Sequence, residues 1–163
     1  MPPSSWQHGG NDAMARLERS IVVKTPRENL FEVITDFERY PEFLPEIKEV
    51  TILSARGSSY EVEFQVEFVR RFTYTLALKG EPPERLRWTM ISGDFKKNDG
   101  GWLLKARSDY ETEAIYDIDL DIGFRVPATI TKKITEFSLP ATLKRFKERA
   151  EMLLSEEMTI VPD

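Results

Sequence analysis

The sequence predicts an α+β fold in which a curved antiparallel sheet of about six to seven strands surrounds one long C-terminal helix. Three observations lead to this prediction. Two short helical segments follow the first strand, a segment with a period of about two residues spans 47–122, and a helical period returns after Pro127. Short turns join the successive strands, which is typical of an antiparallel meander and not of alternating strands and helices.

The composition is that of an ordinary folded domain with an acidic charge balance. The chain has 163 residues, of which 40% are hydrophobic and 31% charged, and its formal net charge is −5. This length suits one domain with a sizeable core. The negative charge argues against direct nucleic-acid binding, which usually relies on a basic patch. The chain has no cysteine, which excludes thiolate catalysis and cysteine-rich zinc sites and fits a cytoplasmic protein.

The two ends of the chain are expected to lie outside the domain. Residues 1–13 are rich in Pro, Ser, Gly and Asn and contain the single histidine, His8, so we expect a flexible tail. The domain is expected to span residues 14–155, followed by a C-terminal tail at 156–163. A domain without histidine disfavours histidine-based catalysis and multi-histidine metal sites, and we expect neither a metal nor a cofactor. No apolar stretch approaches the roughly 20 residues that cross a bilayer.

The first strand and the two short helices occupy the beginning of the domain. Residues 16–24 are rich in β-branched side chains, which indicates a strand. Thr25 is predicted to be the N-cap of the next helix, with Pro26 as its first residue. A second short helical turn opens at Asp36 and is interrupted by Pro41.

The central segment alternates as expected for a sheet with one apolar face. In residues 60–68 aromatic and aliphatic side chains alternate with glutamate and glutamine, and residues 110–122 alternate in a similar way. Gly100 and Gly101 form a predicted turn. The acidic rows, which are expected to face water rather than to hold a hard cation, are Glu61, Glu63 and Glu67, and Asp117, Asp119 and Asp121.

The C-terminal helix is expected to span about residues 127–154 and to lie across the concave face of the sheet. Pro140 should kink or divide it, because proline lacks an N–H group and clashes with the preceding turn. The apolar stripe of this helix predicts four buried side chains. They are Phe137, Leu143, Phe146 and Leu153.

A sheet that curves around one helix leaves a tapering space, which is a usual site for an apolar ligand. Aromatic side chains on the inner face either line this space or fill it. Tyr40 and Phe43 are placed at its mouth, as a gate or as packing residues. Tyrosine hydroxyls, including that of Tyr110, and indole N–H groups are candidates to hold a ligand carbonyl. The candidate ligand-contacting residues are Tyr40, Phe43, Phe64, Tyr74, Trp88, Trp102, Tyr116 and Phe146.

One motif resembles a known group of proteins. The segment VITDFERYPEFLP at residues 33–45 is similar to a signature of the polyketide cyclase/dehydrase and coenzyme Q-binding families. The order of elements over residues 14–154 also resembles the START-like, or SRPBCC, superfamily. The resemblance implies a helix-grip fold of the Bet v 1 type and a lipid, an isoprenoid quinone or a polyketide as the ligand. The ribosome-associated toxin branch shares the motif.

Three functions remain open on these grounds. The first is non-catalytic binding or transport of a hydrophobic small molecule, which is compatible with transient membrane contact. The second is a polyketide cyclase, aromatase or dehydrase reaction in the same cavity, although no pair of acid and base residues is identifiable. The third is an interaction protein of the ribosome-associated toxin type, for which the acidic charge argues against direct RNA contact.

Overall fold

The computed structural model describes residues 14–68, 70–123 and 126–160, so the predicted tail at residues 1–13 lies outside the described residues. The elements are β1 (Met14–Val23), α1 (Arg27–Thr35), a 3-10 helix (Phe37–Glu42), β2 (Ile47–Arg56), β3 (Ser59–Phe68), β4 (Arg70–Glu81), β5 (Arg85–Gly93), β6 (Lys97–Ser108), β7 (Glu111–Asp121), α2 (Ala128–Lys133), a π-helical segment (Ile134–Ser138) and α3 (Leu139–Ile160).

The strands form one curved antiparallel sheet with the order β1-β7-β6-β5-β4-β3-β2. From β2 to β7 each strand pairs with its neighbours in sequence, as in a meander, whereas β1 pairs with β7. The predicted sheet of six to seven strands around a long C-terminal helix, with short helices after the first strand, is therefore confirmed. Strands β1 and β2 form the two edges of this sheet.

The alternation of β7 explains why the sheet has one apolar face. Along Glu111–Asp121 every second side chain is buried and the others are half-exposed, as a period of two residues requires. The buried set includes Tyr116, Ile118 and Leu120. This face would be unstable in water, so the C-terminal helix must cover it.

Two of the acidic side chains on the other face of β7 are paired with basic side chains. Arg87 Nη1 lies 2.6 Å from Asp117 Oδ1, and Lys97 Nζ lies 2.9 Å from Asp119 Oδ2. Within residues 14–68, 70–123 and 126–160, no three or more carboxylate or histidine side chains are grouped to hold a metal ion. These carboxylates therefore act as partners of the neighbouring strands' basic side chains.

Gly100 and Gly101 lie inside β6, and the predicted turn at this position is wrong. A Cβ on Gly100 would collide with the backbone oxygen of Asp117 and would lie 2.9 Å from Trp88 Cζ2. A Cβ on Gly101 would lie 2.5 Å from the backbone oxygen of Leu86. Both glycines allow neighbouring strands to approach closely. Glycine is also common in turns, so the sequence alone does not distinguish the two roles.

The start of α1 also differs from the prediction. The helix begins at Arg27 with Pro26 in the cap position, so Thr25 is not its N-cap. Thr25 is fully buried; its N–H group donates to Val23 O, and its carbonyl accepts from the Thr112 hydroxyl at 2.8 Å. Thr25 therefore lies in the bend between β1 and α1, where the bond to Thr112 holds it against β7.

The second short helix is a 3-10 helix held by a buried tyrosine. The Tyr40 hydroxyl donates to the backbone oxygen of Ile34 in α1, with 2.5 Å between the two oxygens. The Tyr40 ring makes edge contacts with Phe37 at 5.7 Å and with Phe146 at 5.3 Å between centroids. Tyr40 thus packs the 3-10 helix against α1 and α3 at the same time.

The C-terminal helix passes from α2 through the π-helical segment into α3. Pro140 is the second residue of α3, and the wide π turns lie directly before it. The helical type therefore changes directly before Pro140, and the predicted kink or division at Pro140 itself stays a prediction. α3 extends to Ile160, so the predicted helix end at residue 154 is too early and residues 156–160 of the predicted tail are helical.

Two of the four side chains expected to be buried in this helix are buried, and two are not. Leu143 and Phe146 are 4% and 5% exposed. Phe137 is 66% exposed, because the π-helical segment shifts the phase of the helix and turns this side chain outward. Leu153 is 37% exposed and lines a surface groove together with Val33 of α1.

Replacing Phe146 with alanine should remove a buried anchor between helix and sheet. We expect Phe146→Ala to lower the free energy of unfolding by about 3–5 kcal/mol in urea titrations. Phe137→Ala is the matched control on the same helix and should change it by less than about 0.5 kcal/mol. Equal losses in the two variants would contradict the described placement of the helix.

Replacing Tyr40 with phenylalanine should remove one buried hydrogen bond and keep the packing of the ring. We expect Tyr40→Phe to lower the free energy of unfolding by about 1 kcal/mol. Tyr110, which is exposed, provides the control, and Tyr110→Phe should leave stability unchanged. If Tyr40→Phe has the same free energy of unfolding as the wild type, the hydrogen bond to Ile34 contributes nothing to the stability of the fold.

Candidate functional site

A cavity of about 190 Å³ lies between the inner face of the sheet and the C-terminal helix. Its wall is built from strands β2 to β7 with the loop before β6, from the 3-10 helix and the loop after it, and from the π-helical segment with the first half of α3. Ligand pockets typically measure roughly 300–1,000 Å³. The cavity is smaller because aromatic rings occupy part of the space, so the inner aromatic side chains both line and fill it.

Most of the candidate residues predicted from sequence lie in this wall. That they contact a ligand stays a prediction. The seven that line the cavity are Tyr40, Phe64, Tyr74, Trp88, Trp102, Tyr116 and Phe146.

Phe43 is the candidate that does not line the cavity. Its ring centroid lies 5.2 Å from that of Phe146 and 6.0 Å from that of Tyr40, and Phe43 lines a separate groove between α1 and α3. The Arg149 guanidinium lies 5.2 Å from the centre of the Phe43 ring. Phe43 therefore packs against α3. Tyr40 is buried and hydrogen-bonded, so it is not free to move as a gate.

The aromatic rings form two groups, and the rings within each group contact one another. Phe146 meets Trp102 at 5.1 Å, and Trp102 meets Tyr116 at 4.9 Å, with steep angles between the rings. On the other side Phe64 stacks on Tyr74 at 5.5 Å, and Tyr74 stacks on Phe95 at 5.1 Å. Contacts of this kind fix the rings beyond simple burial, so the cavity has a defined shape.

Two tyrosine hydroxyls belong to the polar part of the wall. Tyr74 and Tyr116 both line the cavity, and neither hydroxyl bonds to another described side chain or backbone group. Burial raises the pKa of both phenols above the ordinary value, and the nearby Tyr74 raises the pKa of Tyr116 further. Both groups therefore stay protonated near neutral pH and act as neutral hydrogen-bond donors and acceptors.

Asn98 belongs to the cavity wall but is not among the candidate residues predicted from the sequence. It lies in β6, is buried, and lines the cavity. Its Oδ1 accepts a hydrogen bond from Trp88 Nε1 at 3.1 Å. This bond satisfies the indole and orients the amide, whose NH2 group is then the end of Asn98 that a ligand can use. In sequence, Asn98 stands beside Asp99 and two glycines, so the segment was interpreted as a turn.

The mouth of the cavity carries an ion pair between the loop before β2 and α3. Glu46 lines the cavity, and its Oε1 lies 3.5 Å from Arg145 Nη1. Among the described residues of the wall, Glu46 is the one acidic side chain. Its partner Arg145 balances this charge, so the wall as a whole is close to neutral.

No helix in the described part of the chain is long and apolar enough to cross a membrane.

Comparisons with known proteins place this geometry in a family. The model of the family described as "Polyketide cyclase / dehydrase and lipid transport" matches residues 23–147. The ribosome association toxin RatA of Pseudomonas aeruginosa is 28% identical over 141 residues, which cover 84% of this chain and 96% of that protein.

Solved structures show the same fold at low sequence identity. The Zhui aromatase/cyclase of Streptomyces sp. R1128 is similar with a TM-score of 0.76 and 17% identity, over 85% of this chain and 94% of that one. A START superfamily protein from Mycobacterium smegmatis has a TM-score of 0.74 and 24% identity, over 85% and 98% of the two chains. With the seven-stranded sheet, the covering helix and the family match over residues 23–147, the chain belongs to the polyketide cyclase/dehydrase and lipid transport family.

Proposed function

We propose that this protein binds a hydrophobic small molecule, without catalysis, in the cavity between the sheet and the C-terminal helix. The observation that carries the proposal is the wall itself, which is almost wholly aromatic and aliphatic with a few polar groups inside. Burial of apolar surface supplies about 25 cal/mol per Å², and a few polar groups suffice to orient a ligand. The small volume favours a compact ring system over a long acyl chain.

A cyclase, aromatase or dehydrase reaction in the same cavity is the enzymatic alternative. Such a reaction needs a proton donor and a base close to the substrate. Tyr74 and Tyr116 have pKa values that are raised by burial, which keeps them from acting as bases near neutral pH. The carboxylate of Glu46 is paired with Arg145 at the mouth. These features support binding over catalysis.

Blocking the cavity should abolish the uptake of an apolar probe. We expect the neutral fluorophore N-phenyl-1-naphthylamine to gain emission when it is titrated with the protein. Ile134 lines the cavity from the π-helical segment, so Ile134→Trp should weaken this binding at least about tenfold by filling the space. The control is Phe137→Trp, which adds the same side chain to the same segment at an exposed position and should bind like the wild type.

The binding function fails if neutral apolar probes neither gain emission nor raise the melting temperature of the wild-type protein. It also fails if Ile134→Trp and Phe137→Trp bind the probe equally well, because the probe would then be held elsewhere. Circular dichroism of both variants checks that the fold is kept.

Ribosome association is a second candidate, favoured by the likeness to RatA over most of both chains. The net charge of −5 makes contact with ribosomal RNA unfavourable, so an acidic protein of this kind would contact ribosomal proteins. We expect the purified protein to stay in the upper fractions of a sucrose gradient that contains ribosomal subunits. Co-sedimentation that persists at moderate salt would make the interaction function the better one.

A further inference from the structure

The charge distribution of the cavity restricts which ligands can enter. Within the described wall, no lysine or arginine side chain faces the cavity, and the one carboxylate, Glu46, is held by Arg145. An anionic ligand would lose its hydration on entering and would find no lysine or arginine among the described residues of the wall to replace it. Burying an unpaired carboxylate costs far more than burying a neutral group.

The polar groups inside the wall are neutral. Tyr74 and Tyr116 contribute hydroxyls without a partner in the described structure, and Asn98 contributes an amide whose oxygen is already used by Trp88. The hydroxyls and the NH2 group are all hydrogen-bond donors. A donor that faces an apolar cavity stabilises a bound ligand when an oxygen of that ligand accepts its hydrogen bond.

The tyrosines are also held in place before a ligand arrives. Tyr74 is stacked between Phe64 and Phe95, and Tyr116 lies against Trp88 and Trp102. A donor whose ring is fixed by its neighbours loses little conformational entropy on binding. The two hydroxyls are therefore suited to recognise a group of fixed position on a ring.

We propose that this cavity selects uncharged ring compounds that carry a carbonyl or hydroxyl oxygen, held by Tyr74, Tyr116 and Asn98, and that it rejects the corresponding carboxylates. This inference rests on the proposed binding function and adds to it a rule for the ligand's charge and polar group. It follows that a neutral ketone binds better than its apolar analogue, because the ketone oxygen accepts hydrogen bonds from these donors. A carboxylate of the same size binds worst.

Three probes of one shape test the rule: acetylnaphthalene, ethylnaphthalene and naphthoate, substituted at the same ring position. Their affinities for the full chain are measured by competition with N-phenyl-1-naphthylamine at neutral pH. We expect the ketone to bind about three- to tenfold more tightly than the ethyl compound, as one net hydrogen bond would give. We expect naphthoate to bind at least about a hundredfold more weakly than the ketone.

Variants that lack the hydroxyls connect the rule to the named residues. Tyr74→Phe and Tyr116→Phe, singly and together, should reduce the affinity for acetylnaphthalene and leave that for ethylnaphthalene unchanged. Tyr110→Phe is the control, because Tyr110 is exposed and does not line the cavity. Ethylnaphthalene binding serves as the check that each variant keeps a folded cavity.

The possible results separate the rule from the binding function on which it rests. If no probe of the series competes and the fluorophore itself is not bound, the binding function is overturned. If ethylnaphthalene binds as well as acetylnaphthalene, or naphthoate binds as well as either, the protein binds apolar molecules but the rule is overturned. A preference for the ketone that persists in the double variant would overturn the assignment to Tyr74 and Tyr116.

Discussion

The contact of Phe146 with the sheet is the interaction on which the rest of the structure depends. Its ring meets Trp102 of β6, Tyr40 of the 3-10 helix and Phe43 at centroid distances of 5.1–5.3 Å. One side chain thus holds together the helix, the sheet and the short helix near the cavity mouth. Because the sheet has a single apolar face, this contact also decides how much of that face remains free to enclose a cavity.

The fold could be predicted because its main signals are local. The alternation along β7 and the motif at residues 33–45 each determine an element without knowledge of distant contacts. The errors arise where a tertiary contact decides. Gly100 serves the approach of two strands, Thr25 is held by a distant threonine, and Phe137 is turned outward by a change of helical type.

The site was predictable in its residue types but not in its chemistry. Aromatic side chains such as Trp102 and Tyr116 lie on the inner face because a period of two places them there. Asn98 was missed, because a polar residue beside two glycines has the composition of a turn. Which hydroxyls remain without a partner, and how far rings reduce the cavity volume, depends on side-chain packing that no local pattern records.

The sheet is open and has two edge strands, which affects how the protein behaves at high concentration. Strands β1 and β2 are its two edges, and an unpaired edge is a template for pairing with another chain. Arg16 and Arg19 are exposed on β1, and Lys48 and Glu49 are exposed on β2. Charged side chains at both edges would have to lose their hydration if two sheets joined side by side. The distribution of charge along these strands thus protects a protein with a hydrophobic interior from aggregating through its backbone.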